Sequence, residues 1–442
     1  MQPSIRTLIA IAIATVAAQT QAQTSSSSSS YSRFGIGMPH EQSQSYNRAM
    51  GGVAQGLRAG NRVNVLNPAS YSAIDSLTFI LDLAMSAQRT WTHLGGTTES
   101  ADATGFENIN AGFRLRRGLG MSIGFMPYTS IGYDFQQQSA ATITDPYTME
   151  RISSQYAYTG TGGLHEAYIG IGWKPMQHLS VGANAGFLWG KVSHQMVQTF
   201  LSNGQAVTTS YSSLSSYYDA TLQTWHASIG AQYEATMAGA NSLTLGATIG
   251  IGHTIGSTAT LLRTAQSGDT ISYECPKAYS LPWTLSIGAA YQHGDKLTLA
   301  ADAFAEQWSR CTTPALAMNN GTATYTPQRG QYADSYGLRA GAAITPDRYD
   351  RSLIKRTTYR MGVTYATSYL KLDGHDGPAQ IGLSAGLGIP VANRFNNRST
   401  LNISAEWLHR TASAATLMDE DMLRINIGLT FSERWFMKWQ FR

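Results

Sequence analysis

Charge is scarce in this chain. Asp, Glu, Lys and Arg make up 13% of its 442 residues, about half the usual share of a soluble domain. The formal net charge of +4 is small and dispersed, so no basic footprint for nucleic acid exists. Only two cysteines occur, Cys275 and Cys311, which allows at most one disulfide. Long apolar runs are also missing. The longest, Leu8 to Ala18, is too short to cross a bilayer as a helix, which excludes an α-helical membrane protein. The ten histidines are scattered without metal-ligand spacing, and no strand-to-helix nucleophile elbow is evident. No metal, no cofactor and no catalytic residue is expected; Asp82, Ser86 or His253 would be arbitrary choices.

What the chain does contain begins with a leader. Arg6 supplies the charge, Leu8 to Ala18 the apolar run, and Thr20-Gln21-Ala22 a small-residue cleavage site, so residues 1–22 read as a secretory signal peptide. Cleavage after Ala18 is the alternative. A serine run, Thr24 to Ser30, reads as a tether. Tyr31 to Ser72 has no period of two but holds Gly35, Gly37, Gly51, Gly52, Gly56 and Gly60. It reads as compact, irregular structure, and residues 23–75 form one N-terminal unit.

From residue 76 the pattern changes to strict apolar/polar alternation. Leu243 to Ile251 and Ile381 to Ile389 are examples. Period two gives one apolar and one polar or small face. Tyr 23, Trp 9 and Gly 43 are abundant, and a lipid-facing strand excludes charge while its ends carry aromatic girdles. The fold class is therefore all-β, a transmembrane antiparallel barrel over residues 76–431. Alternating segments near residues 77–92, 105–115, 119–135, 164–173, 179–197, 217–233, 243–262, 275–291, 295–308, 332–344, 358–370, 380–389, 400–408 and 422–431 make about fourteen strands. Many exceed the roughly 9–11 residues needed to cross. Connections after even strands are short, such as Arg116-Arg117-Gly118 and Gln292-His293-Gly294; those after odd strands are long. Short periplasmic turns and long outer loops are the bacterial habit, which points to a Gram-negative outer membrane. Ser432-Glu433-Arg434 looks like a further turn. Residues 432–442 are read as a periplasmic extension, or as a final strand.

Arg48-Ala49-Met50-Gly51-Gly52-Val53-Ala54, followed by Asn67-Pro68-Ala69 just before the first strand, resembles the FadL-type outer-membrane transporters of hydrophobic compounds. Ser70 stands where that family usually has Gly. The resemblance implies a hatch folded inside a fourteen-strand barrel, and a channel for hydrophobic small molecules such as fatty acids. It also implies lateral exit at a kink in strand three, where Pro127 falls inside the alternating run. The bland alternatives are an ordinary Asn-Pro turn and a harmless bulge. Inward glycines at 246, 250, 252, 382, 386 and 388 leave room for a plug, or simply suit tight sheet curvature.

Asp82, Arg114, Asp302, Glu306, Arg339, Arg360, Glu406 and Arg424 fall on the lumen parity. Salt-bridged support is their default role; a substrate carboxylate held by Arg339 or Arg360 is the sharper one. A hairpin turning at Gln292-His293-Gly294 pairs Tyr291 with Asp295, and the same register carried upward sets Cys275 opposite Cys311, close enough for a disulfide. The expected partners are a hydrophobic small-molecule ligand, outer-membrane lipid and the barrel assembly machinery. The rival functions are a protein-binding accessory of secretion or assembly, and a barrel enzyme.

Overall fold

The computed structural model describes residues 29–94, 97–144, 149, 151–202, 205–206, 213–237, 239–319, 322–372, 374–391, 399–411 and 418–434. The signal peptide, most of the serine run and residues 435–442 lie outside the described residues. Fourteen antiparallel strands close on themselves. They are β1 (Thr78–Leu94), β2 (Thr97–Arg116), β3 (Leu119–Thr144), β4 (Arg151–Trp173), β5 (Leu179–Ser202), β6 (Leu214–Thr236) and β7 (Asn241–Gly250). The ring continues with β8 (Thr284–His293), β9 (Leu297–Glu306), β10 (Ser335–Ile344), β11 (Thr358–Ala366), β12 (Ala379–Pro390), β13 (Thr400–Thr411) and β14 (Asp419–Arg434). Closure is made by β1 with β14, in register from Thr78–Arg434 to His93–Asp419. A closed ring leaves no full-length edge to pair with another chain.

Alternation decides which face each residue takes. On β14, Leu423, Ile425, Ile427 and Leu429 point outward, while Asn426, Thr430 and Ser432 are buried inside. Trp173, Tyr233, Tyr291 and Tyr359 ring the outer surface near the short turns. Trp225, Trp283, Tyr336, Tyr365 and Trp407 ring it near the long loops. Two aromatic girdles around an apolar belt are the surface a bilayer requires. On the long-loop side, β3 to β6 rise well beyond the belt. The antiparallel pair Thr258–Ala265 and Thr270–Pro276 extends that wall by pairing with β6.

The structure overturns several sequence expectations. Ser432-Glu433-Arg434 is not a turn but the end of β14, with Ser432 opposite Ile80 and Arg434 opposite Thr78. Cys275 and Cys311 do not form a disulfide; both are free and buried. The β8–β9 turn is Gly294-Asp295-Lys296, with His293 opposite Leu297 and Ala289 opposite Ala301 rather than Leu297. Gly294 takes the left-handed conformation, φ 54°, at the first turn residue instead of the last. Both registers put the same residues outside, so alternation cannot separate them. Nor does β8 reach Cys275. Lys277 turns the chain at φ 54°, Ser280–Leu281 pairs with His253–Thr254, and β8 starts after Pro282. Cys275 lies opposite Ala259, while Cys311 follows a single 3-10 turn, Trp308–Arg310. Both sulfurs sit in an apolar cluster with Tyr279, Trp308, Tyr332 and Tyr369.

Candidate functional site: the barrel interior

The N-terminal segment meets inward positions of strands around the ring. At the long-loop end, Ser29 Oγ donates to Glu420 Oε2 at 2.7 Å and the Ser30 amide donates to Oε1 at 3.0 Å. Arg410 pairs with the same carboxylate at 2.8 Å. Further along, Ser45 Oγ donates to Asp82 Oδ2 at 3.0 Å, and Asp82 also accepts from Asn108 at 2.8 Å and Thr430 at 2.6 Å. The Gln55 amide donates to Asp302 at 3.0 Å. Gln232 Nε2 donates to the Gln55 carbonyl at 2.9 Å, and Asn184 Nδ2 to the Val65 carbonyl at 2.9 Å. Each of these donors or acceptors would cost free energy if buried alone.

Asn67-Pro68-Ala69 lies at the short-turn end. Asn67 Oδ1 accepts from the Ala69 amide at 3.2 Å, capping the 3-10 helix Pro68–Ala73. Proline suits that first position because its missing N–H would have no partner there. Asn67 Nδ2 donates to the Gln55 carbonyl at 2.9 Å and to Ala231 O of β6 at 3.3 Å. At Gly182 and Gly230 the space of a Cβ is taken by Pro68 and Asn67. Of the six inward glycines singled out from sequence, Gly246 and Gly386 face this segment, through Gln55 and Ala49. The other four are crowded by neighbouring barrel residues.

Pro127 marks a break in the wall. The β2–β3 ladder ends at Ile109–Phe125. The β3–β4 ladder continues, but skips Tyr128 between Pro127–His165 and Thr129–Leu164. Two successive glycines of β4, Gly162 (φ 118°) and Gly163 (φ 134°), absorb the irregularity in conformations other residues rarely take. Where β2 no longer pairs, Met38–Pro39 of the N-terminal segment joins β3, with Met38 opposite Ser130 and Pro39 opposite Thr129. The His40 amide donates to Tyr128 O at 2.9 Å. Thr129 Oγ1 donates to Ile36 O at 2.7 Å and accepts from the Leu164 amide at 3.2 Å. On the outer side, Phe125 stacks on Phe106 at 5.6 Å.

The neighbouring polar network was not foreseen from sequence. Arg48 Nη2 sits 2.8 Å from Glu107 Oε2, both buried, with His40 Nε2 at 3.6 Å and Ser86 donating to the same carboxylate. Glu166 accepts from Gln42 at 2.9 Å and meets His226 Nδ1 at 2.7 Å. A cavity of about 210 Å³ is faced by Glu41, Arg48, Arg339, Glu406, Arg410 and Arg424. A second, of about 180 Å³, is faced by His40, Gln42, Tyr128, Glu166 and His226.

The two arginines named as substrate contacts lie apart. Arg339 borders both cavities. It pairs with Glu41 at 3.0 Å, donates to the Gly52 carbonyl at 3.3 Å and lies over the Phe304 ring at 4.7 Å. Arg360 is buried near Tyr46 and donates to Asn402 Oδ1 at 2.8 Å. The three residues weighed for catalysis are held in other contacts: Asp82 in the network above, Ser86 on Glu107, and His253 stacked on Trp225 at 4.0 Å. Gly120–Gly124 and Gly382–Gly386 match the Gly-x-Ser-x-Gly spacing, but both lie in continuous ladders of β3 and β12, not at an elbow.

Fold, belt and filled interior define the class: a fourteen-stranded outer-membrane barrel with the fold of the FadL-type hydrocarbon transporters. The toluene transporter TodX of Pseudomonas putida superposes with a TM-score of 0.56 at 17% identity, over 91% of this chain and 100% of its own. The toluene transporter TbuX of Ralstonia pickettii gives 0.56 at 15% identity, over 91% and 98%. A FadL homologue of Pseudomonas aeruginosa gives 0.55 at 14%, over 88% and 97%. The chain itself belongs to the BamG family, whose model matches residues 4–442. No curated protein matches the sequence.

Proposed function

We propose that the protein is a sealed outer-membrane barrel serving outer-membrane protein assembly, binding protein partners rather than conducting a hydrophobic compound. The observation that carries this reading is what fills and lines the interior. The N-terminal segment is tied to the wall by buried pairs such as Arg48–Glu107, and the cavities beside it set charged side chains among apolar and aromatic ones. An apolar solute moving through would strip water from those groups without replacing its hydrogen bonds. The family designation, BamG, carries the prefix of the barrel assembly machinery. The test is purification of the intact protein in mild detergent. This reading expects the machinery's central barrel to co-purify in near-equal amount; its absence from a preparation that retains folded protein counts against it.

A specific observation favours a second reading, a transporter of hydrophobic small molecules such as fatty acids. The wall is interrupted beside Pro127, where Met38–Pro39 takes the place of β2. In this reading the N-terminal segment is a hatch, the interruption is a lateral exit, and Arg339 or Arg360 meets the carboxylate. Mass spectrometry of ligands extracted from the purified barrel separates the two. One fatty acid per barrel supports transport, and a ligand-free barrel supports the first reading.

A further inference from the structure

The outer wall carries a groove of about 580 Å³ that neither reading uses. It follows from one small residue in the apolar belt. Ile171 of β4 lies opposite Ala183 of β5, and Ala183 lies opposite Ile229 of β6. Ala183 is the floor, with an isoleucine on either side. Trp173, Val181 and Leu119 close the end towards the short turns, and Arg116 stands at its mouth. Arg117 follows in the same turn. Neither arginine forms a salt bridge among the described residues, whereas nearby Lys174 is paired with Glu234 at 3.3 Å.

Farther round the ring, two other turns also carry basic residues. Lys296 ends the β8–β9 turn, and the connection from β10 to β11 carries Arg348, Arg351, Lys355 and Arg356, of which Arg348 pairs with Asp295 at 3.8 Å and Lys355 with Asp350 at 2.9 Å. Short turns face the periplasm in bacterial barrels, so this rim lies at the headgroups of the inner leaflet. An apolar groove at that depth with cations at its mouth matches an acyl chain below a phosphate. Guanidinium groups hold phosphate through charge-assisted hydrogen bonds, and basic side chains near an anionic lipid surface are attracted to it.

We propose that this groove is a phospholipid site, with one acyl chain along Ala183 between Ile171 and Ile229 and the phosphate on Arg116 and Arg117. The test is native mass spectrometry of the full-length protein reconstituted with phosphatidylglycerol, and separately with diacylglycerol, which lacks the phosphate. One phosphatidylglycerol per barrel should be retained and diacylglycerol should not. Ala183→Leu fills the floor and R116Q/R117Q removes the charges; each should cut retention about fivefold or more. Ala405→Leu, outward on β13, should leave it unchanged. If Ala183→Leu fails to fold, by heat-modifiable gel mobility, the turn variant carries the test. Equal retention of both lipids, or of phosphatidylglycerol by wild type and R116Q/R117Q, overturns the proposal. So does a photocrosslinker at position 183 that captures protein instead of lipid.

Discussion

Arg48 and Glu107 form a buried ion pair at 2.8 Å between the N-terminal segment and the barrel wall. Glu107 is the extra residue in a β-bulge: β1 pairs Ala84 with Asn108 and then Met85 with Phe106, skipping it. The bulge turns a carboxylate inward that regular alternation would send to lipid. Removing one partner of such a pair leaves an uncompensated buried charge, which costs roughly 3–5 kcal/mol. Arg48→Met should therefore loosen the segment while the barrel still assembles. Higher single-channel conductance in planar bilayers, with unchanged gel mobility, is the expected outcome.

Deleting residues 31–72 is the larger version of the same experiment. If the segment seals the lumen, the deletion should give an open pore, because a fourteen-strand ring is wide enough for solutes unless filled. Conductance equal to that of the intact protein would argue against a seal.

Met38 and Ser130 are directly paired, so their Cβ atoms lie roughly 4.5–5.5 Å apart. The double variant Met38→Cys, Ser130→Cys should cross-link in the oxidising envelope. If the interruption is an exit, oxidation should stop uptake of a fatty acid and reduction restore it. If the barrel serves assembly, the locked protein should complement its loss fully.

Both natural thiols should be slow to react. Burial pushes the Cys311 thiol up to about 12, reinforced by Asp334 and Glu306, and burial also raises Cys275. The thiolate is the reactive form, so iodoacetamide at pH 8 should label neither in the folded protein and both after denaturation without reductant. Labelling only after reduction would restore the disulfide expected from the sequence.

Asn67→Ala removes a cap and two bridging hydrogen bonds. A lost cap typically costs about 1 kcal/mol. Proteolysis of the segment near its short-turn end should speed up several-fold, with barrel mobility unchanged. Gly230→Val should act in the same direction by occupying the space of Asn67.

The strand count was legible because lipid and lumen enforce the period on every strand, from Leu81 and Leu83 on β1 to Ile425 and Ile427 on β14. Register was not legible where both alternatives keep the same parity, as at Gly294. The run from Cys275 to Tyr291 reads as one strand, although Pro276 and Pro282 make a bulge there plausible; the structure breaks it, and β8 begins only at Thr284. The lining was only partly legible. Asp302, Arg339 and Glu406 follow parity, but Glu107 faces inward through a bulge that no local pattern announces. Glu166 and His226 meet across sixty residues of sequence, a contact only the closed ring creates. Pro127 was readable as an interruption, yet the segment that fills it, Met38–Pro39, carries no alternation long enough to mark a strand.

The most direct test of the assembly reading is the folded fraction of unrelated outer-membrane barrels after depletion of this protein, read by heat-modifiable gel mobility. Unfolded forms of several barrels should accumulate. Normal folding of all of them, with only the uptake of a hydrophobic compound lost, would contradict it.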